Sequence, residues 1–294
     1  MNFKILILLF LPLIMYSNGK TKNIDVAYYH DEDIISNYKN SKSALDIWIN
    51  DFVKNINNNI NLVPYNNKQD FIDDYNNGKL DIISLVAYSY LYNKEKIDEN
   101  TIDYWQLGKS KNKSLEKMYL IVNKNSNINN ILDLKNKKIA IDKENKFGKF
   151  FFEKIYLENS KKNIDDIMSK INFNNKNSLL LQVYFNKYDA AVITSNEYDI
   201  MLELNPAINK KINILETSPE IFPNLLIFFN KKNTSDNMKV FKKSISSFFI
   251  NEDNHELFDI LKVKEISRIE KSDLDKLYDY YQGYRKLKSK YKKE

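Results

Sequence analysis

Twice along this chain, short apolar runs alternate with amphipathic helical stretches, and that alternation narrows the folds open to it. In the first round, Asn23 to Tyr29 (NIDVAYY) has the content of a strand and breaks at the polar His30-Asp31-Glu32-Asp33. Ser43 to Ile56 sets Ala44, Ile47, Trp48, Val53 and Ile56 at helical spacing. Ile60 to Tyr65 reads as a strand, and Gln69 to Asn77 as a helix with Gly78 at its C′ position. Leu80 to Val86 (LDIISLV) is a near-continuous apolar run, suited to a strand covered on both faces. A β-α-β-α-β order predicts a mostly parallel sheet with helices on both sides.

The second round begins with strands at Lys117 to Val122 and Lys138 to Ile141, separated by a short helical turn at Asn129 to Leu134. Gly148 to Glu158 is a helix with an apolar face at Phe151, Phe152, Ile155 and Tyr156. Lys170 to Phe173 and Tyr188 to Ile193 are strands around a helix at Ser178 to Phe185, and a helix from Glu197 to Leu204 stops at Asn205-Pro206. Strands at Ile212 to Leu215 and Leu225 to Phe229 precede a helical third, about 236–250, 254–262 and 272–292. The polar stretch Leu107 to Leu115 and the Pro-bearing stretch Thr217 to Pro223 are the candidate connections between the two units. The expected organisation is α/β and two-lobed. Lobe one takes residues 20–107 plus 224–294, lobe two takes 116–213, and hinge segments lie at 108–115 and 214–223.

The first residues point to a compartment. Lys4, the apolar run Ile5 to Met15, and the small residues Ser17 and Gly19 match a cleavable secretory signal peptide over residues 1–19. The run is too short for a bilayer span, which needs about 20 residues. No Cys follows it to carry a lipid anchor. The expectation is a soluble exported protein in a bacterial periplasm.

Composition removes several function classes. Without cysteine there is no disulfide, no thiolate metal site and no Cys nucleophile, and the two histidines, His30 and His255, do not make a multi-histidine metal site. P-loop, GxGxxG, GxSxG and HExxH motifs are absent. No catalytic residue, metal or cofactor is expected, and the protein is read as a non-enzyme. Of 45 basic side chains only Arg268 and Arg285 are arginines, and 39 acidic residues are interspersed. Arg supplies the planar fork for phosphate and base recognition, so nucleic acid is not an expected partner.

Open α/β sheets bind ligands beyond the carboxyl ends of their strands. That rule selects Tyr29 and His30 after the first strand, Tyr88 after the third, Asn145 and Lys146 at the start of a second-unit helix, and Ser195 after the YDAAVI strand. Helix starts favour anions, and Lys146 adds charge. Several have a plainer reading: Asn145 and Ser195 as helix caps, His30 as a surface polar group, and one of Tyr88 and Tyr90, either of which could contact a ligand, as core packing.

The ordered segments Gly78 to Asp81, Asp133-Leu134-Lys135-Asn136-Lys137, Asp189 to Val192 and Ser218-Pro219 resemble the periplasmic solute-binding proteins of ABC importers with the type II fold. Within these the chain resembles the phosphate/phosphite/phosphonate-binding branch over nearly all of residues 22–290. In that branch a hydroxyl-rich, Gly-ended loop holds the oxyanion; here it reads Glu144-Asn145-Lys146-Phe147-Gly148, keeping the glycine but not the hydroxyls. A family histidine is replaced by Asn177-Ser178. The resemblance implies two lobes closing on a small, anionic or polar solute, an ABC permease as partner and a monomeric receptor. The alternatives it leaves are a sensory binding protein presenting ligand to a membrane kinase or cyclase, and an enzyme on the same fold akin to pyrimidine-precursor synthases.

Overall fold

The computed structural model describes residues 23–29, 60–108, 115–164, 167, 171–174, 178–248 and 265–292. His30, the expected helix at Ser43 to Ile56, the helix at 254–262 and the signal peptide lie outside these residues.

Two sheets carry the fold. The first has six strands in the order β11-β4-β10-β3-β1-β2: β1 (Ile24–Tyr29), β2 (Ile60–Tyr65), β3 (Ile82–Val86), β4 (Thr101–Gly108), β10 (Leu225–Asn230) and β11 (Glu265–Arg268). The second has five, β7-β6-β8-β5-β9: β5 (Met118–Asn123), β6 (Ile139–Asp142), β7 (Ile171–Asn174), β8 (Ala190–Thr194) and β9 (Ile212–Thr217). The two orders share one plan. In each sheet, two strands pair in parallel with a central first strand, and one strand arriving from the other sheet runs antiparallel beside the third. That strand is β10 in the first sheet, against β3 and β4, and β5 in the second, against β8 and β9. This is the two-lobed α/β architecture expected from the alternation.

The chain therefore crosses between sheets after β4 and returns after β9. The two crossings pair with each other through an isolated antiparallel bridge, Glu116 with Phe222, with backbone bonds in both directions of 2.9 and 3.2 Å. Ser218 sits at the start of the return. Its hydroxyl accepts from the Met118 N–H at 2.7 Å and donates to the Pro219 carbonyl at 2.8 Å.

Helices cover both sheets. On the first lie α1 (Lys68–Asn76), α2 (Ala87–Leu91), α3 (Lys94–Asp98) and α8 (Asp236–Phe248). On the second lie α4 (Lys146–Ser160), α5 (Leu179–Tyr184), α6 (Ser195–Leu204) and α7 (Ile208–Lys211). One face of the first sheet buries Ala27, Ile83, Leu85 and Phe228 under Phe71, Ile72 and Tyr90. The second sheet buries Leu120, Val122, Ile139 and Ile141 against Phe150, Phe151 and Phe152 of α4. The last helix, α9 (Lys271–Lys290), starts two residues after β11, within the stretch expected in lobe one, and its buried stripe reaches both cores.

The quoted motifs have local structural causes. Asp133 closes a capping box with Asn130 at a 3₁₀ turn, and the backbone N–H groups of Asn129 and Asn130 hold its carboxyl below the usual range. Asp189 ties the starts of β6 and β8 by accepting from the Lys138 N–H at 2.7 Å.

Candidate functional site between the sheet edges

The carboxyl ends of β3 and β8 lie where the two crossings run. β3 passes directly into α2, and the Ala87 N–H donates to the Asn224 carbonyl of the return crossing at 3.2 Å. Tyr88 follows, and its ring lies against second-lobe rings: Phe147 at 5.8 Å and Phe150 at 6.4 Å between centroids. Tyr281 of α9 closes a third side at 6.3 Å. The Tyr88 hydroxyl is 2.7 Å from that of Tyr92 and remains exposed. Burial of the ring is the main cause raising its phenol pKa.

On the second sheet, α4 begins beyond the end of β6. Asn145 caps it: its Oδ1 accepts the Gly148 N–H at 2.7 Å, which satisfies one free helix donor. Among the described residues its Nδ2 faces the Met118 sulfur at 3.8 Å, a weak acceptor. A Cβ at Gly148 would meet the folded-back Asn145 side chain at 2.6 Å, so a larger residue there would displace the cap. Lys146 is the first residue of α4. Phe147 comes next and packs against both cores, 5.1 Å from Phe222 of the return crossing.

At the start of α6 the cap is Thr194, whose hydroxyl accepts from the Glu197 N–H at 3.1 Å. Ser195, the residue with a possible capping role by sequence, is buried instead against β5. Its Oγ accepts the Lys117 N–H at 3.1 Å. Glu197 reaches back toward α5. Burial is the largest influence on its carboxyl and raises it to about 7; the Leu180 and Leu179 N–H groups and the Ser178 hydroxyl oppose this, while Asp142 adds to it.

Of the residues selected from sequence, three lie close together: Tyr88 touches Phe147 at the α4 start, Asn145 meets Met118, the first residue of β5, and Ser195 meets Lys117 just before it; Lys146 is adjacent in the chain. Tyr29 ends β1, half-buried, and its ring packs on Phe71 of the first core at 6.0 Å. His30 is outside the described residues. Sequence reasoning missed Phe147 and Glu197. Phe147 lay within the loop already singled out, and its signal was an aromatic ring at a helix start where apolar residues are unfavoured by solvent. Among the described residues no group of three or more His, Cys, Asp or Glu could hold a metal ion, and no helix is long and apolar enough to cross a membrane.

Paired sheets of this order, joined by two adjacent crossings with strand ends converging between them, define a two-lobed binding protein of the type II fold. A family model described as "ABC transporter, phosphonate, periplasmic substrate-binding protein" matches residues 36–278. The chain belongs to that family, whose members bind solutes and are not enzymes. Among solved structures it is similar to PhnD1 from Prochlorococcus marinus, determined in complex with methylphosphonate. Identity is 14%, coverage 91% of this chain and 98% of that one, and TM-score 0.56. A binding protein component of an ABC phosphonate transporter from Pseudomonas aeruginosa matches at 13% identity, 91% and 88% coverage, and TM-score 0.54. A Xanthomonas citri protein bound to chloride matches at 10% identity, 91% and 99% coverage, and TM-score 0.58. At these identities the likeness speaks to the fold. A comparison with curated protein sequences returns no match.

Proposed function

We propose that this chain captures a small polar or anionic solute between its lobes and delivers it to the permease of an ABC importer, acting in the periplasm after loss of residues 1–19. The observation carrying this reading is the Asn145 side chain. Its oxygen is spent on the cap, while its Nδ2 donor faces a thioether, at the cleft end of a fifteen-residue helix that begins with Lys146. A solute oxygen is a far better partner for that N–H than sulfur, and both the helix dipole and Lys146 favour negative charge there. The Tyr88 hydroxyl offers a second polar contact from the opposite lobe. Family membership supports solute capture and an importer partner; the phosphonate named for the relatives is one candidate ligand among small oxyanions.

The test is thermal shift of the mature protein against phosphate, phosphite, alkylphosphonates and sulfonates. A solute at a hundredfold excess over its Kd stabilises by about 2.7 kcal/mol. Asn145→Ser keeps a cap oxygen and removes the Nδ2 amide donor, its shorter hydroxyl being taken up by the cap. A lost hydrogen bond to a charged group costs about 1.5–3 kcal/mol, so the variant is expected to bind roughly tenfold weaker or worse with the fold intact. Unchanged affinity in Asn145→Ser and in Tyr88→Phe would remove this site assignment.

A further inference from the structure

The last helix does more than close the chain. β11 pairs with β4, so the chain at Arg268 belongs to the first sheet, and α9 begins at Lys271. Its buried stripe, Leu274, Leu277, Tyr281 and Tyr284, keeps one face by i+3 and i+4 steps. Leu274 packs in the first core, with Ala87, Tyr90 and Ile97. Leu277, Tyr281 and Tyr284 pack in the second, with Phe150 and Phe151. Ten residues of helix rise about 15 Å, so the stripe reaches from one lobe well into the other.

Polar contacts fasten both ends. At the first lobe, Lys94 bridges Asp98 and Asp275 at 2.6 Å each, and Lys271 reaches Asp98 at 3.4 Å. At the second lobe, Glu153 of α4 is 1% exposed. Tyr284 donates its hydroxyl to that carboxylate, Lys288 reaches it at 2.8 Å, and the Tyr284 phenol is pushed up by burial and by Glu153. The two ends differ in strength. The first-lobe fastening exposes nearly half of the Asp275 side chain, and exposed ion pairs hold weakly. The second-lobe fastening centres on the buried Glu153 carboxylate, where losing a partner leaves a buried charge. Both lobes hold α9 by packing, the first through Leu274 and the second through Leu277, Tyr281 and Tyr284, and the first also by chain continuity with β11.

We propose that α9 is a third connection between the lobes, a strut seated on the first lobe at Leu274 and anchored on the second at Glu153, which restrains their relative motion. Tyr88 touches Tyr281 of this strut, so the strut also borders the candidate site. The proposal stands apart from the solute reading, because it concerns the protein without solute.

The chain has no cysteine, so single Cys residues can be introduced for spin labels at Lys96 of α3 and Lys187 beyond α5, both exposed. Inter-label distances are then measured by pulsed electron paramagnetic resonance in solute-free protein. The parent is expected to give one narrow peak. Glu153→Gln, and separately Tyr284→Phe with Lys288→Ala, are expected to lose that single peak to a broad or two-peaked distribution, with circular dichroism retained. Lys276→Ala, an exposed residue of α9 ion-paired with Asp273, is expected to leave it narrow. A narrow, unshifted peak in either folded anchor variant overturns the strut, as does equal broadening in Lys276→Ala. If Glu153→Gln does not fold, the Tyr284/Lys288 variant decides the matter.

Discussion

Gly78 ends α1 with a φ of +75°, in the left-handed region, donating its N–H to the Tyr75 carbonyl while Lys79 donates to Asp74. Those two bonds make a Schellman cap, and the glycine was legible because this conformation suits it and few other residues. Gly78→Ala is expected to lower stability by about 1 kcal/mol, read as a lower midpoint in urea; an unchanged midpoint would contradict the cap's role. Glu197 was not legible, since its environment is made by α5 and the end of β6, distant in sequence. Its carboxyl titrates near 7 when folded, against a usual 4.5. The folded state thus binds a proton more tightly than the unfolded chain. The associated stability is complete below about pH 4.5, declines as pH rises, and is lost above about pH 7. Glu197→Gln keeps an acceptor for the Leu179 and Leu180 N–H groups and removes the charge. It is expected to match the parent near pH 4.5 and to exceed it at pH 8 by on the order of 1–3 kcal/mol. Parallel stability–pH curves for the two proteins would show that the carboxyl is not buried in this way.

At the scale of elements, strands with unbroken apolar runs were read correctly, and two others were missed for identifiable reasons. β4 carries Asp103 and Gln106 within its run, and Gln106 is nevertheless fully buried, so its hydrophobic pattern is interrupted where the sheet is most enclosed. β11 is four residues long, too short to show a period. α2 was hidden because β3 runs into it without a polar break: Leu85-Val86-Ala87-Tyr88 reads as one apolar stretch across a strand end and a helix start. The helix start at Asn145 was legible, but not the consequence of the ring after it. Phe147 meets Tyr88, Phe150 and Phe222, joining α2, α4 and the return crossing. Removing a fully buried Phe costs about 3–5 kcal/mol. Phe147 is half-buried, so Phe147→Ala is expected to cost about 1–3 kcal/mol, measured by urea unfolding. A loss below about 0.5 kcal/mol, the range of ordinary surface changes, would mean that the ring does not join the lobes.

For the whole molecule, the two β-α-β rounds and the two breaks between them were enough to expect two lobes with a double crossing. The bridge between Glu116 and Phe222 ties the two crossings side by side. What sequence could not show is that α9 spans both cores. Its apolar spacing specifies one buried stripe but not which surfaces cover it. The account as a whole rests on the cleft closing over a small solute, with differential contacts favouring the closed state. The most direct measurement is the Lys96–Lys187 inter-label distance during titration with the most stabilising oxyanion of the thermal-shift panel. The account predicts a saturable shortening whose midpoint agrees with the thermal shift and moves to higher concentration in Asn145→Ser. Saturable binding with an unchanged inter-lobe distance, or no stabilisation by any member of the panel, would contradict it.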